Sequence, residues 1–462
     1  MKLRSILPAI CSGTLALGLS LTGLDYVYAA ESRSGPSGLI EGETLEDFYT
    51  AAIDFSPRLR IAEENLNIGR AREKQAEGQL LPQINANASL TDNTRDSINP
   101  QFGIPITQEF TGERFSLTLS QTLFNWQAFA ARRRATQIEN QLEAEYYYEL
   151  AYLLTDVSDR YLSVLQAQDA LVSIASEIDA VTNQLNQIQS LFNLQLAQIT
   201  DLRQAEASLA NVQAEQLRLE AELAIAEETL RAITGIEIGP LFELDANLEL
   251  PGVENGMQFW VDMARSNNQL IRARRFALRA AEEGIAESKG AYMPRVSFIA
   301  QRQDSNVGFD NVFLDDTVTT FIGVDVSIPI YAGGSNRARE SEARSQRNIA
   351  ESELRQIELE ANASVRSAFL QAQSSLLLVE AAERLVESTR LSSEAAQQGF
   401  ELGTVTNVDV LNALRDQFQS ERDLQRARYE HIKFLLILKR EAGTLSPSDI
   451  IEIGSWMVEP EA

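Results

Sequence analysis

The side chains that usually carry covalent or acid–base chemistry are nearly missing from this sequence. There is one histidine, His431, and one cysteine, Cys11. His431 stands amid Tyr429, Ile432 and Phe434 in a helix-forming stretch, a setting for a packed or surface imidazole rather than a base. A Ser–His–Asp arrangement would have to use it. Carboxylates abound, but as charges on helix faces. The Gly333-Gly334 pair lacks the flanks of a phosphate-binding loop. No catalytic residue, metal-ligand set or cofactor is therefore expected. What remains is electrostatic: 66 acidic against 40 basic residues, a formal charge of −26. Such a surface repels nucleic acid, which needs a basic footprint. It serves solubility, or it lines a passage that favours cations. Asp409 falls a few residues into a helical stretch, where the helix dipole stabilises a carboxylate.

The first thirty residues read as an export signal. Lys2 and Arg4 precede an apolar, uncharged run from Ile6 to Leu24, and Val27-Tyr28-Ala29-Ala30 offers small residues for cleavage. Cys11 lies inside that signal, before most of its apolar core, so a lipid-modified cysteine is not expected. The mature chain then has no cysteine and no disulfide framework. No later run reaches the roughly 18 apolar residues of a spanning helix.

The elements that must position everything else are helices of unusual length. Gly and Pro are absent from Trp126 to Thr234, from Ser335 to Gln398, and from Thr404 to Ala442. Ala, Gln, Glu, Leu and Arg, all good helix formers, fill these stretches. Apolar residues recur in steps of three and four: Val157, Tyr161 and Val164, then Leu171, Ile174, Ile178, Val181, Leu185, Ile188 and Phe192. That is a coiled-coil seam. One helix from Gln127 to Ser190 would be about 96 Å long, too long for a compact globular domain.

Between the helices the period changes to two. Ile84, Ala86, Ala88 and Leu90 alternate with polar residues, as do Phe115, Leu117, Leu119 and Leu123. Val296, Phe298 and Ala300 form a weaker set, interrupted by Ile299; Ile322, Val324, Val326 and Ile328 form a fourth. Each reads as a strand with one apolar and one polar face. None of these apolar-phase positions is charged, as a lipid-facing surface requires; a soluble one-sided sheet is the alternative. On the polar phase lie Thr118 and Asp325, with Arg114 at a strand edge. The segments 92–113 and 303–317, between strands, have no readable pattern.

The chain also repeats itself at offsets of 207 to 212 residues. Gly78 and Pro82 match Gly290 and Pro294; Ser120, Leu123 and Phe124 match Ser327, Ile330 and Tyr331. Phe192, Leu194, Asp201, Ala205 and Gly235 match Phe400, Leu402, Asp409, Ala413 and Gly443. Two tandem copies of helix–strand–strand–long helix–turn–helix follow. Because Gly399 and Gly403 mark the turn of the second copy, residues 193–200 should turn in the first. The expected organisation is a signal at 1–30, a first repeat at 31–235, a linker at 236–256, a second repeat at 257–443 and a tail at 444–462.

Four strands cannot close a membrane barrel, whose practical minimum is eight, and an open edge in lipid leaves backbone groups unsatisfied. Oligomerisation is required. The polar strand faces favour a barrel wide enough for water, though strand physics leaves the number of copies open.

Certain segments go further. Phe400-Glu401-Leu402-Gly403-Thr404, Asp409-Val410-Leu411-Asn412-Ala413, Ala427-Arg428-Tyr429 and Ala442-Gly443-Thr444-Leu445 resemble the second helical hairpin of the TolC family. Leu119-Ser120-Gln121-Thr122-Leu123-Phe124 resembles its strand-to-helix return; Phe192-Asn193-Leu194 and Ile199-Thr200-Asp201-Leu202 resemble its first hairpin tip. The resemblance covers about residues 43–445. It implies a mainly α fold with transmembrane β: a homotrimer whose twelve strands form an outer-membrane barrel, continued by a twelve-helix α-barrel through the periplasm. It implies a passive exit duct for efflux or type I secretion, opened by a periplasmic adaptor and an inner-membrane transporter. By the same resemblance Asp409 matches an acidic ring at the periplasmic constriction. Asn412 stands where a second Asp is common, and Asp201 matches an Asp that ties the closed tips. The usual Arg and Tyr partners of that tie are here Val405 and Phe400. Phe192, Leu194, Phe400, Leu402, Gly403, Thr404 and Val405 mark the tips where an adaptor would dock. Trp126 and Tyr331 fall at the periplasmic end of the strands, where interfacial aromatics sit in outer-membrane lipid, or else pack at the strand–helix junction. A periplasmic coiled-coil scaffold or adaptor is the alternative, but an adaptor normally has one helical hairpin, and here there are two.

Overall fold

The computed structural model describes residues 41–42, 44–98, 103–245, 248–308 and 313–459. The export signal read at 1–30 lies outside them. In chain order the elements are β1 (Glu41–Gly42), α1 (Leu45–Phe55), α2 (Pro57–Gly78), β2 (Gln83–Ile98), β3 (Pro105–Asn125), α3 (Trp126–Asn193) and α4 (Ile199–Thr234). Then come β4 (Glu237–Ile238), β5 (Glu243–Leu244), α5 (Met257–Asn267), α6 (Gln269–Gly290), β6 (Arg295–Val307) and β7 (Phe313–Ser327). The chain continues through α7 (Ser335–Glu401), α8 (Asn407–Glu441), α9 (Pro447–Gly454) and β8 (Met457–Val458).

The internal repeat is plain in these lengths. Helices α1 and α5 have 11 residues each, α2 and α6 have 22, α3 and α7 have 68 and 67, and α4 and α8 have 36 and 35. Local chemistry sets the matching boundaries. Ser56 and Asn268 each cap the second helix of their repeat, the latter accepting from the amides of Leu270 and Ile271. Gly235 and Gly443 end the two hairpins with φ near +73° and +71°, the left-handed conformation that a glycine adopts freely. At 1.5 Å per residue, α3 is about 102 Å long.

The four long strands form one antiparallel sheet in the order β2-β3-β6-β7. They are longer than the alternation implied. The pairing of β2 with β3 continues to Ile98 opposite Pro105, although residues 91–98 and 105–112 are largely polar and keep no apolar alternation in register with the strand below. A register shift between Thr122 and Phe124 re-aims β3 as it enters α3. At that junction Gly290 of α6 lies against the backbone of Gln127, where an added Cβ would sit 2.6 Å from its nitrogen. Arg132 of α3 bonds Glu77 of α2 at 3.0 Å, while Arg133 and Arg134 bond Glu283 and Glu287 of α6 at 2.9 and 3.2 Å. The helices are thus fixed side by side directly below the sheet.

The main core lies midway along the long helices. The ring of Phe48 packs tilted against Tyr161 with centroids 5.6 Å apart, both fully buried, among Val157, Leu165, Leu230, Ile432 and Ile453. The linker and tail pack here. β5 pairs with β8, and Lys439 holds Asp449 of α9 at 2.6 Å. A second cluster (Ile174, Val181, Ala205, Val212, Leu219) runs along the α3–α4 seam toward the tip, following the step of three and four.

Candidate functional site

The sheet register separates two surfaces. Ile84, Leu119, Ala300 and Ile322 stand opposite one another in a row across all four strands. Phe298 and Val324 form a further pair on this face, as do Val296 and Val326. Ile84, Ile322 and Val324 are 70%, 71% and 59% exposed, so an apolar face lies uncovered in the protomer. The other face carries Asn85, Thr118 and Gln301 in one row, and Thr122, Ser297 and Asp325 in another. Thr118 and Asp325 therefore share the polar surface. Arg114 sits at its upper end, donating to the Gly308 carbonyl at 3.3 Å. One departure is instructive. The charge-free apolar phase holds for the segments read from sequence, but β6 continues past Ala300 and places Arg302 and Asp304 opposite Leu117 and Phe115. In the described sheet, β2 and β7 each pair on one side only.

Trp126 opens α3 behind the cap Asn125, whose side chain accepts from Ala128. The Arg133 guanidinium lies 5.4 Å from its ring. Tyr331 follows β7 and is 87% exposed, next to Ile330.

At the far end of the long helices the chain turns twice. The first turn, 194–198, uses Gln195 at φ +62°; the second uses Gly403 at +73°. Thr404 donates from Oγ1 to the Gly399 carbonyl at 3.0 Å, and Gly399 lies so close to Val405 that a Cβ would meet it at 2.6 Å. Leu194 and Leu402 project, well exposed. Phe400 and Val405 instead pack inward against Val410, Leu414 and Phe418, and Phe192 is half-buried.

Asp201 and Asp409 hold equivalent positions. The Asp201 carboxylate accepts from the Gln198 amide at 3.2 Å. The Asp409 carboxylate accepts from the Thr406 hydroxyl at 2.6 Å and the Thr406 amide at 3.1 Å, bonds that hold it below the usual carboxylate range. Asp409 and Asn412, one turn apart, are both exposed on α8. The tie between the two tips comes from residues the sequence did not single out. Asn407, buried at the start of α8, donates from Nδ2 to the Asp201 carbonyl at 3.2 Å and accepts from Gln184 Nε2 at 2.9 Å.

From this point the α3–α8 seam carries a ladder of polar contacts. Arg422 meets Glu177 at 2.7 Å, Tyr429 donates to Asp169 at 2.7 Å, Lys433 meets Asp159 at 2.9 Å, and Arg440 donates to Thr155 at 3.1 Å. Burial pushes the Glu177 and Asp169 carboxyls up, opposed by Arg422 and Tyr429 respectively. His431 belongs to the same helix. Its Nε2 lies 2.9 Å from the Pro251 carbonyl and its Nδ1 2.8 Å from Ser375 Oγ, and burial pulls its pKa down. It is a neutral bridge between α8, α7 and the linker. No group of three metal-ligating side chains occurs among the described residues.

A four-stranded sheet with an apolar face and open edges, carried on two coiled-coil hairpins about 100 Å long, defines the protomer of a membrane channel. The outer membrane efflux protein family model matches residues 48–236 and 260–443, and the chain belongs to that family. It is 26% identical to the outer membrane protein TolC of Vibrio cholerae over 430 residues, covering 91% of this chain and 95% of that protein. It is 23% identical to the alkaline protease secretion protein AprF of Pseudomonas aeruginosa, over 90% and 88% of the two chains. Its fold matches the outer membrane protein VceC of Vibrio cholerae with a TM-score of 0.73 at 19% identity, covering 86% and 96%. The family is one of channel proteins rather than enzymes.

Proposed function

We propose that this chain is the protomer of a homotrimeric outer-membrane exit duct serving an efflux pump or a type I secretion system. The observation that carries this is the sheet: four strands with an apolar face over their lower half, interrupted above by Arg302 and Asp304 of β6, and two unpaired edges. Lipid tolerates no unpaired edge, since each orphaned backbone group costs several kcal/mol, so β2 of one copy joins β7 of the next. Three copies give twelve strands, enough for a wet interior lined by Thr118, Asp325 and their neighbours. The helices favour the same closure. Helix α6 lies between α3 and α7, whereas α2 packs chiefly on α3. The repeat assigns the free side of α2 to α7 of the next protomer.

The apolar face then meets outer-membrane lipid, with Trp126 and Tyr331 at the periplasmic interface. The hairpins extend through the periplasm to a constriction where Asp409 forms an acidic ring, with Asn412 one turn above and Asp201 in the adjoining tip. Leu194 and Leu402, flanked by Phe192, Gly403 and Thr404, present the exposed contacts for a periplasmic adaptor, while Phe400 and Val405 support the turn from beneath. Transport energy comes from the inner-membrane partner. The test is location and mass: the protein should stay with outer membranes after salt washing and leave detergent as a trimer. A monomer released by salt would return the scaffold alternative.

A further inference from the structure

Where the linker, α5 and α9 meet α8, the protomer leaves a cavity of about 280 Å³. That is room for a ligand of about a dozen non-hydrogen atoms, at the small end of organic-ligand sites. Its lining is mainly apolar: Ile432, Leu435 and Leu436 of α8 and Ile453 of α9. Two of the chain's three tryptophans, Trp260 and Trp456, also line it. Phe259 stands at 87° to Trp260, with ring centroids 5.8 Å apart. The linker completes the lining through residues 251–255. Asn255 turns it into α5 with φ at +65°, and the Trp260 indole donates to the Glu254 carbonyl at 3.0 Å. The turn and the aromatic wall are thereby held together.

The charge of the lining is one-sided. Glu254, Asp449 and Glu452 stand against a single base, Lys439. Lys439 meets Asp449 at 2.6 Å and Glu452 at 3.2 Å, and Asp449 also accepts from the Ser446 amide at 2.7 Å. Lys439 and Asp449 neutralise each other, which leaves the carboxylates of Glu254 and Glu452 in excess. We propose that this cavity binds a small organic cation, its apolar body among the leucines and tryptophans and its ammonium group beside Glu254 and Glu452. The indole faces add attraction for a cation, and the same carboxylates repel an organic anion of equal shape. Such a ligand touches α8, α9 and the linker at once, so occupancy stabilises the protomer by mass action. The site lies within one protomer and does not depend on the channel reading.

The experiment uses the assembled protein in lipid nanodiscs and three probes with one apolar body: 4-phenylbutylammonium, 4-phenylbutanol and 4-phenylbutyrate. Tryptophan fluorescence reports binding, because two of the three indoles line the cavity, and thermal unfolding reports the linked stabilisation. The ammonium should bind about tenfold more tightly than the alcohol, and the carboxylate more weakly than either. Glu254→Gln and Glu452→Gln should each weaken the ammonium by about fourfold, leave the alcohol unchanged, and together erase the preference for a cation. Leu435→Trp fills the cavity and should abolish the thermal shift with all three probes. Should that variant fail to fold, the two glutamine variants carry the test. Equal affinity for ammonium and carboxylate, a cation preference that survives the double glutamine variant, or binding of no probe would overturn the site. Trimer mass and conductance are read separately, and their failure would overturn the channel instead.

Discussion

Arg422 of α8 places Nη1 2.7 Å from the Glu177 carboxylate of α3, and both side chains are nearly excluded from solvent, at 9% and 3% exposure. This pair joins the two hairpins of one protomer at a level above the tips. Breaking a buried ion pair from one side leaves an uncompensated charge and costs about 3–5 kcal/mol. Arg422→Gln should lower stability by that order at neutral pH. Burial already raises the Glu177 pKa, and loss of Arg422 raises it further. The penalty belongs to the ionised form, so it is full above the folded pKa and relieved as pH falls below it. Thermal unfolding of the variant should therefore recover toward wild type in acid; an equal deficit at both pH values would refute the assignment.

Asp409 should keep its charge to lower pH than a carboxylate without such donors. The Thr406 hydroxyl and amide lower its pKa, so the stabilisation they give is present above the ordinary carboxylate value and is lost as pH falls through the depressed one. Thr406→Ala removes the hydroxyl donor. Cation selectivity, followed by reversal potential against pH, should then titrate away at higher pH than in the wild type. Superimposable titrations would separate Asp409 from the pore's selectivity.

Neighbouring positions on β3 test the two faces of the sheet. Leu119 lies in the all-apolar row and Thr118 on the polar side. Leu119→Arg should impair assembly in the outer membrane, since a mid-bilayer arginine on the lipid face costs about 2–4 kcal/mol. Thr118→Arg should assemble normally and shift selectivity toward anions. The reverse pattern would invert the barrel.

Gly78 of α2 stands by the repeat where Gly290 stands in α6. Gly290 admits the Gln127 backbone, whereas a Cβ at Gly78 meets nothing within 4 Å in the protomer. The matching neighbour, the start of α7, would come from the next copy. Gly78→Leu should leave the folded protomer intact by circular dichroism yet weaken the trimer in detergent. An undisturbed trimer would remove α2 from the interface.

Much of this architecture is legible in the sequence because it is periodic. Breaker-free stretches locate the long helices, alternation gives the strand faces, and the repeat places the first turn near residue 194, which no local signal marks. The strand extensions 91–98 and 105–112 are not legible, because 91–98 is polar but for Ile98 and the apolar Ile106 and Phe110 fall out of phase with Phe115, Leu117 and Leu119. The polar seam is hidden for another reason. Gln184 and Asn407 meet across 223 residues of chain, and neither has a distinguishing local pattern. One signal was available: the repeat sets buried Asn407 opposite Ile199, which is 47% exposed. A polar residue inside where its counterpart is apolar and outside marks a departure from symmetry.

The central claim is that this chain forms a passive conduit. Its most direct test is single-channel conductance of the purified trimer in a planar bilayer, with Asp409→Ala alongside. Small cation-selective steps are expected, enlarged and less selective in the variant. Correctly assembled, inserted trimers that pass no current, in the wild type and with the constriction removed, would contradict it.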